Sequence, residues 1–324
     1  MSLLELMLQD VTTVAILGHI RPDGDCVGSC LGMYNYLCDN YKTVKTTVYL
    51  EQPSEKFSYL KGFGQICSDS SADIQYDLCI CLDSSDKDRF GEFVKYLDNA
   101  KKSVCFDHHI TNLNYAKENK VVSGASSTCE VIYEEMDPEK VSKNVAECIY
   151  TGIVHDTGVF KYSNTSARTM EIAGKMMGMG IDFSSIIDDS FYRKTYVQNQ
   201  ILGRALLESI VFLDGRAIVA VIRQKDMDFY GVTSKDLDGV VEQLRVTEGV
   251  ECALFLYETG VQDWKVSLRS NKYVDVSKVA KYFGGGGHVR AAGCQMMGSL
   301  HDVVNNLSGH IEIQMKDVET CTTE

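Results

Sequence analysis

Proline is scarce in this chain, and excess positive charge and long apolar runs are missing from it. With three prolines in 324 residues, no low-complexity segment and no internal repeat, proline-rich and repeat architectures are excluded. No apolar run approaches the roughly 18 residues that would suggest a membrane-spanning helix. Lysine and arginine number 32 against 45 aspartates and glutamates, a net charge of −13. That balance argues against coating long nucleic acid, which needs a broad basic surface. It leaves room for a small phosphorylated substrate, because bound metal ions supply local positive charge inside an acidic protein. Cysteine is plentiful at twelve, yet no Cys-x-x-Cys pair occurs, and Cys79, Cys81, Cys105, Cys148 and Cys252 sit in apolar runs. The expectation is reduced, buried thiols and not a disulfide scaffold. Met1-Ser2-Leu3-Leu4-Glu5 lacks a charged segment followed by an apolar one, so a cytoplasmic location without membrane association is expected.

What is present, 44% apolar residues, suffices for a sizeable core, and the length suits two domains. Val14 to Leu17 predicts a strand, Gly28 to Cys38 a helix, Thr47 to Leu50 and Leu78 to Leu82 strands, Phe90 to Leu97 a helix and Ser103 to Phe106 a strand. That alternation indicates βαβ units around a parallel sheet. Ser126-Ser127-Thr128 predicts a helix cap, with Glu130 placed for a capping box with Ser127. Ser142 to Val154 has helix length, and Asn164-Thr165 predicts the start of another helix. Ile186 to Glu208 reads as a helical connector. Beyond it, Ala217 to Ile222, Ala253 to Leu256 and Trp264 to Leu268 predict strands. The expected architecture is α/β: a parallel-sheet N-terminal domain over 1–185, a helical connector over 186–208 and a smaller α/β domain over 209–324.

Chemistry gathers where apolar runs end. Cys105-Phe106-Asp107-His108-His109 places an aspartate and two histidines directly after a β-type run. His19-Ile20-Arg21-Pro22-Asp23-Gly24-Asp25 follows Val14 to Leu17, Asp83 closes Leu78 to Leu82, and Asp156 follows the apolar segment ending at Val154. Parallel sheets collect ligands at the carboxyl ends of their strands, so these residues can meet in one crevice. Singly, each is more often a cap or a surface residue; together they point to a hydrolytic site. Imidazole with carboxylates suits Mn²⁺ or the similar Mg²⁺, Fe²⁺ and Co²⁺ better than a thiolate-rich zinc site. Six such donors suit two ions roughly 3.5–4 Å apart, bridged by a carboxylate, with a shared water acidified into a nucleophile.

Four segments, His19-x-x-x-Asp23-x-Asp25-x-x-Gly28-Ser29, Asp83-Ser84-Ser85-Asp86, Asp107-His108-His109 and Asp156-Thr157-Gly158, resemble the successive motifs of the DHH phosphoesterases. Gly284 to His288 with Ala291-Ala292-Gly293 resembles the signature of the DHH-associated C-terminal domain. The resemblance implies that His19, Asp23 and Asp83 hold one ion and that Asp25, Asp83, His108 and Asp156 hold the other. It implies manganese as the expected ion, Asp107 as the residue orienting His108, and His109 as a hydrogen-bond donor or proton shuttle at the scissile phosphate. His155 is outside that ligand set and is expected to pack.

In the second domain a run of four glycines suggests either a turn or an anion-binding loop. The expected substrate contacts are Gly285, Gly286, Gly287 and His288, with Arg269 and Ser270 as a phosphate contact. Larger RecJ-type exonucleases, family-II pyrophosphatases with a different C-terminal domain, and membrane-tethered cyclic-dinucleotide phosphodiesterases resemble the chain less well. The stand-alone nanoRNase/pAp phosphatase type resembles it better. The resemblance therefore implies hydrolysis of short oligoribonucleotides to mononucleotides and removal of the 3′-phosphate of pAp, with long nucleic acid excluded and a homodimer brought into view. The alternatives are an enzyme specialised for linear dinucleotides such as pApA, and a nucleotide-binding module without turnover.

Overall fold

Leu78–Leu82 is buried at every position, as expected of a strand covered on both faces by crossover helices. It is β4 of a parallel sheet in the computed structural model, which describes residues 1–322, with side chains through 317. The chain divides into two units, Met1–Arg193 and Lys194 onward.

The first unit carries β1 (Thr13–Leu17), β2 (Lys45–Tyr49), β3 (Ile66–Cys67), β4 (Leu78–Leu82), β5 (Lys102–Asp107) and β6 (Glu118–Val121) in the order β3-β2-β1-β4-β5-β6. Every neighbouring pair is parallel. This order reverses direction between β1 and β4, and such a switch point opens a crevice beyond the strand ends. The helices are α1 (Leu3–Met7), α2 (Gly24–Asn40), α3 (Val94–Asn99), α4 (Thr128–Tyr133), α5 (Lys143–Asp156), α6 (Ala167–Gly178) and α7 (Phe183–Ile187). A single-turn π-helix, Asp188–Tyr192, follows α7.

Several sequence expectations shift. The first long helix starts at Gly24 and not Gly28, because Asp23 caps it by accepting from the Asp25 and Cys26 amides. The segment from Phe90 is broken at Gly91 (φ 54°), leaving a 3₁₀ stretch before α3. Helix α6 is capped by Ser166, which forms a capping box with Thr169; Asn164, the expected cap, is used elsewhere. Ser127 caps α4 through the Glu130 amide, but the Glu130 carboxylate accepts from the Ser126 amide and hydroxyl and from Thr169.

In the second unit β7 (Ile210–Phe212), β8 (Ala217–Ile222), β9 (Cys252–Gly260), β10 (Asp263–Ser270), β11 (Gly286–His288) and β12 (Ala291–Met297) form a mixed sheet ordered β11-β12-β10-β9-β8-β7. Only β8 and β9 run parallel within it. Helices α8 (Tyr196–Leu207), α9 (Gln224–Tyr230), α10 (Val240–Arg245), α11 (Val276–Tyr282) and α12 (Leu300–Thr322) accompany the sheet. The described cysteines are all free thiols. No helix among the described residues is long and apolar enough to cross a membrane.

Helices α2 and α5 approach closely at Gly28, where an added Cβ would lie 2.6 Å from the Cys148 carbonyl oxygen and 3.0 Å from the Gly152 nitrogen. Backbone cannot yield as a flexible side chain can. Gly28→Ala is therefore expected to cost about 1–3 kcal/mol as overpacking, measured by denaturant unfolding. Gly32→Ala, one turn on, meets nothing nearer than 3.4 Å and should be neutral or slightly stabilising through helix propensity.

Candidate metal centre

The switch-point crevice receives side chains from β1, β4, β5 and two helix ends. After β1, His19 is almost wholly buried (3% exposed). Its Nδ1 lies 2.8 Å from the Ile20 carbonyl. A carbonyl only accepts, so Nδ1 donates to it, and Nε2 is the nitrogen that can give its lone pair to a metal once its own proton has left. Nε2 faces Asp23 Oδ2 at 3.6 Å and Asp83 Oδ2 at 3.5 Å. Asp23 spends Oδ1 on capping α2, which leaves Oδ2 for that contact.

After β4, Asp83 adopts a left-handed backbone (φ 55°), a conformation costly for a residue with a Cβ and typical of functional sites. Its two oxygens diverge. Oδ2 faces His19, while Oδ1 lies 3.7 Å from His108 Nε2 and 3.8 Å from His109 Nδ1. His108 Nε2 also faces Asp156 Oδ2 at 3.1 Å and Asp25 Oδ2 at 4.0 Å. All six residues expected as metal ligands are thus brought together. Asp156 arrives as the last residue of helix α5 and not from a strand end.

Strand alternation corrects the role expected of Asp107. Side chains two residues apart share a side of an extended chain, so Asp107 aligns with His109. It accepts from His109 Nδ1 at 2.7 Å and from Asn112 Nδ2 at 2.6 Å. Asn112 also donates to the Ser84 carbonyl, tying the loops after β4 and β5 together.

Charge is crowded here. Burial, then the neighbouring carboxylates of Asp83 and Asp156, push Asp25 well above the usual carboxylate range. Asp156 is raised by burial too, partly offset by His108. Burial alone would strip His108 of its proton, but Asp156 and Asp25 outweigh it and lift its pKa to about 10. His19 is driven up against the same burial by Asp23 and Asp83, while the bond to His19 overcomes burial to hold Asp23 down at about 2. The Asp107 bond raises His109. The upward shifts of Asp25, Asp156, His19 and His108 all express carboxylates crowded together without counter-charge, a need that divalent cations would meet. That donor set fits divalent metal. Three clusters with donor atoms within 4.8 Å of one another could each hold an ion: His19–Cys26–Asp83, Asp83–His108–His109 and Asp25–His108–Asp156.

Four contributors escaped the sequence reading. Thr128, seen there only as part of a cap, donates its amide to Asp25 Oδ2 at 2.6 Å and its hydroxyl to Asp83 Oδ1 at 3.1 Å, while the Cys129 amide reaches Asp25 Oδ1 at 3.0 Å. Asn164 donates to the Ser126 and Asp156 carbonyls. Cys26 carried no signal beyond its place beside Asp25. His155 packs as expected: its ring lies against Phe57 and Phe191, Nε2 is 3.0 Å from Ser190 Oγ, and burial pushes it down to about 3.

The second unit corrects two expectations. Arg269 and Ser270 are consecutive in β10, so they face opposite sides of the sheet and cannot form one contact. Ser270 is buried and donates to the Val274 carbonyl. Arg269 faces a cavity of about 210 Å³ with Lys265, Ser267 and Glu242, and its guanidinium is ion-paired with Glu242. The glycine run is not an open nest. Gly286, Gly287 and His288 form the edge strand β11, and Gly287 (φ 142°) lies so near β12 that a Cβ would sit 2.5 Å from the Ala291 carbonyl oxygen. Gly285 is pressed against Gly293 and Cys294 in the same way. His288 remains exposed.

Comparison with known families matches residues 13–153 to the DHH family, N-terminal domain, and residues 214–312 to the DHHA1 domain. The chain thus has a DHH–DHHA1 domain architecture. The DHH–DHHA1 chain is similar to the probable bifunctional oligoribonuclease and PAP phosphatase NrnA of Streptococcus mutans, 29% identical over 87% of this chain and 88% of that one. The Bacillus subtilis bifunctional oligoribonuclease and PAP phosphatase NrnA is 26% identical over 88% and 89%. An exopolyphosphatase-related protein from Bacteroides fragilis shares the fold, with a TM-score of 0.87, 24% identity and coverage of 95% and 94%. Family, fold and metal-binding clusters together make this DHH protein a metal-dependent phosphoesterase.

Thr128→Val keeps the side-chain shape and the amide but deletes the hydroxyl that orients Asp83. It should weaken metal binding by roughly tenfold, read by calorimetric titration of manganese into metal-stripped protein, and Thr128→Ser should restore it.

Proton linkage in the stripped protein also has a definite sign. Folded-state values of Asp25, Asp156, His19 and His108 lie above their ordinary ones. Their stabilisation is present at low pH and is lost as pH rises through those values. Asp23, held down, contributes evenly above its ordinary range. Above pH 7 the depressed His155 no longer adds an opposing slope, so between pH 7 and 9 the metal-free melting temperature should fall as the advantage of His19 and His108 is lost, and saturating manganese should flatten that slope.

Proposed function

We propose that this DHH phosphoesterase hydrolyses short oligoribonucleotides and dinucleotides to mononucleotides and also removes the 3′-phosphate of pAp. The observation that carries a two-ion reading is the divergence of the Asp83 oxygens, one toward His19 and one toward His108. His19, Asp23 and Asp83 would hold one ion, and Asp25, Asp83, His108 and Asp156 the other, with manganese as the ion suited to such donors. Bound ions would supply Lewis acidity toward the phosphate and a nucleophile from water. His109, whose affinity for a proton is raised by Asp107, would donate to the phosphate or the leaving oxygen. The second unit would hold the nucleotide through exposed His288 and the β11 edge, and Arg269 would join once released from Glu242. Ser270 is withdrawn from this set. The substrate class is supported by curated relatives of that name aligned over nearly nine-tenths of both chains.

The substrate reading is tested by rates on mixed-sequence ribodinucleotides, pApA, longer oligomers and pAp. Comparable rates on short mixed substrates and pAp are expected. Activity confined to pApA would favour the dedicated dinucleotide enzyme, and no manganese-dependent release of nucleotide or phosphate would leave a binding module. His109→Ala should retain metal and lose roughly 10²-fold in kcat, whereas His108→Ala should lose metal itself. Equal metal loss in both variants would remove the separate role given to His109.

A further inference from the structure

The cluster around His19 contains a donor that the carboxylate-and-imidazole set leaves unused. Cys26, third residue of α2, is fully buried. Its sulfur lies within 4.8 Å of donor atoms on both His19 and Asp83, which are themselves 3% and 2% exposed. Behind the sulfur stands Gly18, where an added Cβ would be only 2.5 Å away, so the thiol is hemmed in on that side. His19 would bind metal through Nε2, because Nδ1 is committed to the Ile20 carbonyl. Asp23 Oδ2 stands 3.6 Å from that same nitrogen.

Imidazole, thiolate and carboxylate form a softer set than manganese favours, and at mixed N/O/S sites zinc outcompetes manganese in intrinsic affinity. Zinc–ligand lengths of about 2.0–2.3 Å in a tetrahedron put donors roughly 3.5 Å apart, so inward shifts of about 1 Å would complete the site. We propose that His19, Cys26 and Asp83 form a thiolate site that captures zinc or cadmium, making this phosphoesterase sensitive to inhibition by thiophilic divalent ions. The proposal rests on the assignment of His19 and Asp83 as ligands. Binding replaces the S–H bond with a sulfur–metal bond and the Nε2–H bond of protonated His19 with a nitrogen–metal bond, releasing a proton from each to solvent with no change of oxidation state. Zinc held there would occupy the same His19 and Asp83 that the manganese reading needs; Asp23, close to His19 but outside the group of mutually close donors, would have to move further inward to close the position as structural zinc sites are closed.

The test is cadmium titration of metal-stripped protein, following the ultraviolet thiolate-to-cadmium charge-transfer absorption in wild type, Cys26→Ala and Cys26→Ser. Subtracting the variant spectra removes contributions from the other thiols. The expected result is a band present in wild type and missing from both variants. In parallel, the zinc concentration that halves manganese-supported hydrolysis, each protein normalised to its own rate, should rise at least about tenfold in both variants. Identical cadmium spectra, or unchanged zinc sensitivity in folded variants, would overturn the proposal. The spectrum needs neither substrate nor manganese, so failure of the substrate reading would leave this result standing.

Discussion

Carboxylates forced together away from water are the constraint on which the first unit depends. Asp25 and Asp83 are buried, and Asp156 adds a third charge beside them. Unit charges about 4 Å apart repel by roughly 4 kcal/mol at an intermediate dielectric. A fold tolerates this only if counter-charge arrives or protons remain. The raised values of Asp25 and Asp156, and of the imidazoles facing them, are the protonated solution to that problem. Divalent ions are the functional one. The left-handed backbone of Asp83 belongs to the same account: strain there aims its two oxygens at different imidazoles.

Much of the surrounding structure holds these charges in place. The start of α4 presents two amides to Asp25 and a hydroxyl to Asp83. Its own geometry is anchored by buried Glu130, which gathers Ser126 and Thr169. The close approach of α2 to α5 at Gly28 brings the ends carrying Asp25 and Asp156 into the same crevice. Packing and chemistry are coupled here, because the contacts that make the helix pair close also set the distances between the acids.

The second unit is organised by alternation along β10. Val266, Leu268 and Ser270 point into one core, while Lys265, Ser267 and Arg269 line a cavity on the opposite face. Its glycines serve the sheet first. Gly285 and Gly287 let the edge strand lie against β12, and His288 is left exposed at the end of that strand.

Residue type and order alone determined the family, the parallel sheet of the first unit and the gathering of His19, Asp23, Asp25, Asp83, His108 and Asp156. Apolar runs ending in acids and imidazoles are a local pattern, and a parallel sheet has one place to bring such ends together. Short or polar edge strands such as β6, Glu118–Val121, were not legible, since pairing and not hydrophobicity makes them strands. Side-chain direction was equally hidden. That Asp107 serves His109, that Ser270 turns inward, and that Glu130 reaches Ser126 all depend on which face a backbone presents once its neighbours are fixed. Thr128 and Cys26 join the site for the same reason. Each is remote in sequence from some of the groups it meets, or anonymous beside them, and only tertiary packing brings an amide, a hydroxyl or a sulfur to those carboxylates and imidazoles.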